Sequence, residues 1–134
     1  MKHDIFISYK SQDIAITKAI AHILESEDIF CWYAPRNLDN QAAGKDYDDK
    51  IVEAIKACKI VIILLCDESL ESEWVKFEVS CAQKNKKFII PYAIRELTVD
   101  NGLLNRLTTK HWIDAYPNPE KKFNILLNIL AVFV

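Results

Sequence analysis

Ile60-Val61-Ile62-Ile63-Leu64-Leu65 is a run of apolar residues with no polar alternation. Such a run suits a strand buried on both faces, as in a parallel sheet between two helical layers. Shortly after it comes Ser72-Glu73-Trp74-Val75-Lys76-Phe77-Glu78-Val79-Ser80-Cys81-Ala82. This stretch reads as the start of a helix running to about Lys84. Ser72 suits the N-cap, and Glu73 places a negative charge in the first turn, where the helix dipole favours it. Val75, Val79 and Ala82 recur at helical spacing as a core stripe. Trp74 and Glu78 are four apart and therefore share a face. A helix that follows a buried strand begins near the strand's carboxyl end, where open α/β sheets bind ligands. Glu78 is thus the candidate functional carboxylate. The plain alternative is a salt-bridged glutamate beside a packing tryptophan.

Working outward toward the N-terminus, Ala34 to Lys45 is a long loop carrying Pro35, Arg36 and Gly44, and loops of that length in a small domain tend to be functional. Before it lie a strand over Ile29 to Tyr33, a helix marked by Ile16, Ala19, Ile20, Ile23 and Leu24, and a first strand over Asp4 to Tyr9. Ile51, Ala54, Ile55 and Cys58 mark the second helix. Toward the C-terminus, Cys66 to Glu71 is an acidic loop, and Phe88 to Ala93 is a fourth strand whose Pro91 predicts an edge position or a bend. Arg95 to Thr109 is poorly patterned, with a short helical piece at Leu103, Leu104 and Leu107. Lys110 to Ile113 is a brief fifth strand, and Pro119 opens the last helix. Phe123 to Val134 is apolar nearly all round and too short to span a bilayer. It predicts either a contact with another subunit or a native chain that continues into a further domain.

Strands alternating with helices predict an α/β fold, a flavodoxin-like, doubly wound, five-stranded parallel sheet of order 2-1-3-4-5. Its switch point lies between the first and third strands. The turn Ser8, Tyr9, Lys10 and the loop after the third strand then flank one crevice, with Glu78 facing it.

Composition narrows the function. The 134 residues make one domain, 51% hydrophobic and 27% charged, with a formal net charge of -2. There is no basic surplus to predict nucleic-acid binding. Only 2 glycines are present, which excludes Walker and GxGxxG phosphate loops. Cys31, Cys58, Cys66 and Cys81 form no CxxC pair and have no histidine at metal-ligand spacing, so reduced thiols and a cytoplasmic location are expected. Cys66, at a strand end, is the one thiol to watch for reactivity. His3, His22 and His111 suggest surface or packing roles.

Four segments in order resemble the TIR (Toll/interleukin-1 receptor) family, in its bacterial type. They are Phe6-Ile7-Ser8-Tyr9; Cys31-Trp32-Tyr33-Ala34-Pro35-Arg36-Asn37-Leu38 with Gly44 and Tyr47; Ile62-Ile63-Leu64-Leu65 followed by Ser69, Ser72, Trp74, Val75 and Glu78; and Ile89-Ile90-Pro91. The resemblance covers nearly the whole chain. It implies two activities: assembly through TIR–TIR contacts, as a dimer or filament, and NAD+ cleavage that releases nicotinamide and yields ADP-ribose or a cyclised product. The family's catalytic glutamate lies four residues after a tryptophan on this helix, which fits Trp74 and Glu78. NAD+ is then substrate, and no cofactor or metal is implied. The resemblance places Ser8, Tyr9 and Lys10 beside the nicotinamide and ribose, Lys10 or Arg36 near the phosphates, and Trp74 against a flat ring. Pro35, Gly44 and Tyr47 belong to the same binding loop. The Ala34-Pro35-Arg36 sequence departs from the acidic residue that some TIR enzymes carry at the end of the second strand.

The leading expectation is an NAD+ glycohydrolase or ADP-ribose cyclase activated by self-assembly, in bacterial antiphage defence, with a fused or separate sensor domain. A non-catalytic interaction module and a nucleoside deoxyribosyltransferase-like enzyme are the alternatives. A phospho-receiver is excluded because Cys66 stands where its aspartate would be.

Overall fold

The computed structural model describes residues 4–34, 45–108 and 111–132, with side chains described from residue 49 onward in the second of these segments. The elements in chain order are β1 (Ile5–Ser8), a 3-10 turn (Ser11–Asp13), α1 (Ile14–Ser26), β2 (Cys31–Tyr33), α2 (Lys45–Ala57), β3 (Ile60–Leu65), α3 (Asp67–Leu70) and α4 (Glu73–Lys84). They continue with β4 (Phe88–Ala93), α5 (Gly102–Leu107), β5 (Ile113–Asp114), a second 3-10 turn (Pro119–Lys122) and α6 (Phe123–Leu130). The five strands form one sheet in the order β2-β1-β3-β4-β5, every pair parallel, as the alternation of elements predicts.

Alternate residues of each strand feed two cores, one per face. Ile5, Ile7, Ile60, Ile62, Leu64, Ile90 and Tyr92 pack with α1 and α6. Phe6, Val61, Ile63, Leu65, Ile89 and Ala93 pack with α2, α4 and α5. All six side chains of β3 are fully buried, which is why that strand shows no alternation in sequence. At Pro91, which opposes Ile63 of β3, β5 has not yet begun; β5 opposes only Tyr92 and Ala93. The strand is locally an edge there, so the absent N–H is tolerated.

Three expectations need correction. The fifth strand lies at Ile113–Asp114 rather than ending at Ile113, because its pairing is set by the last two residues of β4. The stretch Cys66 to Glu71 is not simply a loop; Asp67–Leu70 form one helical turn, with Ser69 Oγ accepting from the Cys66 N–H at 2.9 Å. The last helix is amphipathic rather than apolar all round: Phe123, Leu126 and Leu130 are buried, while Asn124, Ile125 and Asn128 are exposed. Its buried stripe follows i, i+3, i+7 and completes the core on the α1 face. Among the described residues, no helix is long and apolar enough to cross a membrane.

Candidate functional site

β1 ends at Ser8, and strand parity aims its side chain at the α2/α4 face of the sheet. There Ser8 Oγ donates a hydrogen bond to Glu78 Oε1 at 2.6 Å. Ser72 caps α4 as its sequence predicts, its Oγ accepting from the Val75 N–H at 3.3 Å. That cap sets the helix register and turns Val75, Glu78, Val79 and Ala82 inward together. Glu78 therefore lies within the buried stripe rather than at its border, with 0% of its surface exposed. A fully enclosed carboxylate is costly unless hydrogen-bonded, and Ser8 supplies such a bond across 70 residues of chain.

Trp74 stands one turn before Glu78, half-buried against the same core and edge-on to Phe77, with ring centroids 6.2 Å apart. Lys10 follows the strand end, is half-buried, and makes no ion pair with a described residue. Tyr9 takes a different place. Its ring is fully buried in the α1-face core, packs edge-on against Tyr33, and its hydroxyl donates to the Ala34 carbonyl. The tyrosine side chain thus ties β1 to the end of β2 instead of lining the crevice, because strand parity sends it to the opposite face from Ser8. Pro35, Arg36 and Gly44 lie outside the described residues. The backbone of Tyr47 falls in α2, and its side chain lies outside the described set.

A second polar cluster at the same edge of the sheet was hidden in the sequence. Asp13 is only 4% exposed, and its carboxylate accepts two bonds from Arg95, at 2.8 and 3.0 Å. Asp13 occupies the N-cap position of α1, yet its side chain caps nothing because the guanidinium holds both oxygens. Cys66 Sγ donates to Asp13 Oδ2 at 3.3 Å, and Arg95 approaches Glu68 at 3.7 Å. Burial above all raises the Cys66 thiol above its ordinary pKa, which makes it a poor nucleophile and corrects the expectation of reactivity there. Nothing local in sequence announces a partner for Asp13 that is 82 residues away. The remaining thiols are also protonated and free: burial is the main cause that pushes Cys31 up to about 12 and Cys58 up to about 11. His22 is exposed, and His111 packs against Phe88 at 4.3 Å, consistent with non-catalytic roles; His3 is outside the described residues. Among the described residues, no group of three or more His, Cys, Asp or Glu side chains is placed to hold a metal ion.

The five-stranded parallel sheet of order 2-1-3-4-5 that carries these residues has counterparts among known proteins. The family model described as TIR domain matches residues 5–127. A stimulator of interferon genes protein from Magallana gigas is 32% identical over 123 residues, covering 86% of this chain and 29% of the relative. The chain thus spans about 29% of the length of that relative. Among solved structures, the TIR domain of the Toll-related receptor TRR-2 from Hydra magnipapillata superposes with a TM-score of 0.67 at 16% identity, covering 96% of this chain and 98% of that one. Both named relatives are metazoan proteins rather than bacterial ones. With a matching family model over 5–127 and this fold, the chain belongs to the TIR domain family.

Proposed function

We propose that this domain cleaves NAD+ at the nicotinamide–ribose bond, as an NAD+ glycohydrolase or ADP-ribose cyclase, with Glu78 as its catalytic residue. One observation carries the reading: the Ser8–Glu78 hydrogen bond at the carboxyl edge of the sheet, with Trp74 one turn away. When the C1′–N bond breaks, its electron pair goes to the nicotinamide nitrogen and the base leaves neutral, so no general acid is needed. The ribose becomes oxocarbenium-like, and a carboxylate beneath it stabilises that charge and binds its hydroxyls. Ser8 holds Glu78 in one rotamer, which places its charge before the bond breaks. Water, giving up one proton to the solvent, bonds to C1′ to give the linear product, or a nucleophilic atom of the same molecule bonds there to give the cyclic one. Trp74 offers an apolar plate for a flat ring, and Lys10 a charge for phosphate. Assignment to the bacterial-type, NAD-cleaving branch, with antiviral defence signalling in the cytoplasm, activation by self-assembly and a fused or separate sensor domain, belongs to the same proposal.

TIR domains commonly self-associate, and a non-catalytic interaction module is the second reading. The complete burial of Glu78 favours it, because a carboxylate that reaches NAD+ must first be uncovered. Nicotinamide release from NAD+ at high protein concentration, compared with Glu78→Gln and Glu78→Ala, separates the two. The enzymatic reading expects release to fall by at least about 10²-fold in both variants while each stays folded. Absence of release from assembled wild-type protein would leave Glu78 a structural residue.

A further inference from the structure

Behind the crevice, α2 and α4 leave a groove of about 320 Å³ lined by Val52, Lys56, Phe77, Ser80, Cys81 and Lys84. Its chemistry is two-sided. Val52 and Phe77 give it an apolar wall, and Phe77 is 38% exposed on a helix whose other face fills the core. Lys56 sits in the last turn of α2 and Lys84 in the last turn of α4. Both line the groove, one from each helix, and both draw the Cys81 thiol toward ionisation against the larger opposing effect of burial. A third cation, Lys87, donates from Nζ to the Lys56 carbonyl at 2.9 Å. None of the three is ion-paired with a carboxylate of a described residue.

Lysines are favoured near helix C-termini, which accounts for one charge per helix. It does not account for two like charges lining one groove with an exposed phenyl ring in a chain of net charge -2, with a third held at the Lys56 carbonyl. Their mutual repulsion falls when an anion enters between them, and the apolar wall selects an anion with a hydrocarbon or aromatic body. The volume lies at the lower end of the range for small-ligand pockets.

We propose that the α2–α4 groove binds a small amphipathic organic anion, an aryl or alkyl carboxylate or sulfonate, with its apolar body on Val52 and Phe77 and its head between Lys56 and Lys84. Ser80, in the same lining, offers a hydroxyl donor to the same head. The occupant lies against Phe77, which stands edge-on to Trp74, so binding is read at a tryptophan beside Glu78. The proposal concerns binding alone and does not depend on NAD+ cleavage.

The probe is 1-anilinonaphthalene-8-sulfonate, titrated onto the whole chain and followed by its own emission and by quenching of tryptophan. The expected result is one saturable site with a Kd on the order of 10–100 μM. Dodecanoate displaces the probe, and dodecyltrimethylammonium, with the same chain and opposite charge, does not. Lys56→Glu/Lys84→Glu weakens binding at least tenfold, and Lys56→Gln/Lys84→Gln weakens it less. Phe77→Ala weakens it while near-ultraviolet circular dichroism of the remaining aromatics persists. Three outcomes overturn the proposal: binding unchanged in both lysine double variants, equal displacement by the cationic surfactant, or affinity for phosphatidylserine vesicles with none for the soluble anions.

Discussion

Among the described residues, the carboxyl edge of the sheet holds one enclosed carboxylate on each face, and the two are held differently. On the α4 face, Glu78 is fully buried and receives a hydroxyl hydrogen bond from the end of β1. On the α1 face, Asp13 is nearly as buried but sits in a two-bond fork from Arg95, whose side chain is 46% exposed. The Asp13–Arg95 pair joins the turn after β1 to the exit of β4, with the Cys66 thiol at the end of β3 as a third point. It is a clasp, because a guanidinium that satisfies both oxygens leaves little for a substrate to use. The Ser8–Glu78 bond engages one oxygen through a donor that a ribose hydroxyl resembles in chemistry. Segment 8–13 is therefore anchored at Ser8, Tyr9 and Asp13, to α4, to the end of β2 and to Arg95 respectively. Lys10 lies between these anchors in the chain.

Removing the guanidinium is the harshest way to test that contrast. Arg95→Ala leaves the Asp13 charge enclosed and is expected to cost about 2–3 kcal/mol in urea unfolding, below the 3–5 of a fully enclosed pair because Arg95 is half-exposed. A loss under about 0.5 kcal/mol would mean that the clasp does not hold the turn. Ser8→Ala should cost about 1–2 kcal/mol, since a hydrogen bond to a carboxylate is lost. If Glu78 is catalytic, the same change lowers nicotinamide release beyond what the stability loss explains; equal behaviour of Ser8→Ala and Arg95→Ala in the turnover assay would erase the distinction between site and clasp. Cys66→Ala is expected to change stability by less than about 1 kcal/mol, because a thiol is a weak donor and Arg95 already satisfies Asp13. A larger loss would move the clasp's centre to the thiol.

The smallest expected effect concerns Asp67, on the rim beside the clasp. Its carboxylate accepts from the Thr98 hydroxyl and from the Thr98 and Val99 amides, and these bonds, the hydroxyl first, hold it below the usual carboxylate range. A depressed pKa in the folded state contributes stability above the unfolded carboxylate pKa, and that contribution disappears as pH falls through the folded value. Thermal midpoints of wild type and Asp67→Asn should thus differ at neutral pH and converge in acid. A gap that stays constant with pH would show that the charge on Asp67 is irrelevant.

How much of this was legible beforehand follows the range of each interaction. The β3 run, the Ser72 cap, the inward stripe of α4 and the strand order were readable because periodicity, caps and alternation are local codes. Trp74 and Glu78 were readable as a pair for the same reason, being one turn apart. The amphipathic character of α6 was missed because Phe123-Asn124-Ile125-Leu126-Leu127 has more apolar residues than its buried stripe uses. The side-chain place of Tyr9 was missed because adjacency to Ser8 in sequence means opposite faces in a strand.

The chain's own order of apolar runs, turns and caps therefore determined a five-stranded parallel sheet and the helix that carries Glu78, since each is specified within a few residues. Only the tertiary structure decided that Glu78 meets Ser8, that Asp13 meets Arg95 and Cys66, and that Lys56 and Lys84 line one groove with Phe77. Those partners are brought together by how strands and helices pack across the sheet, and no short window of sequence contains both members of such a pair.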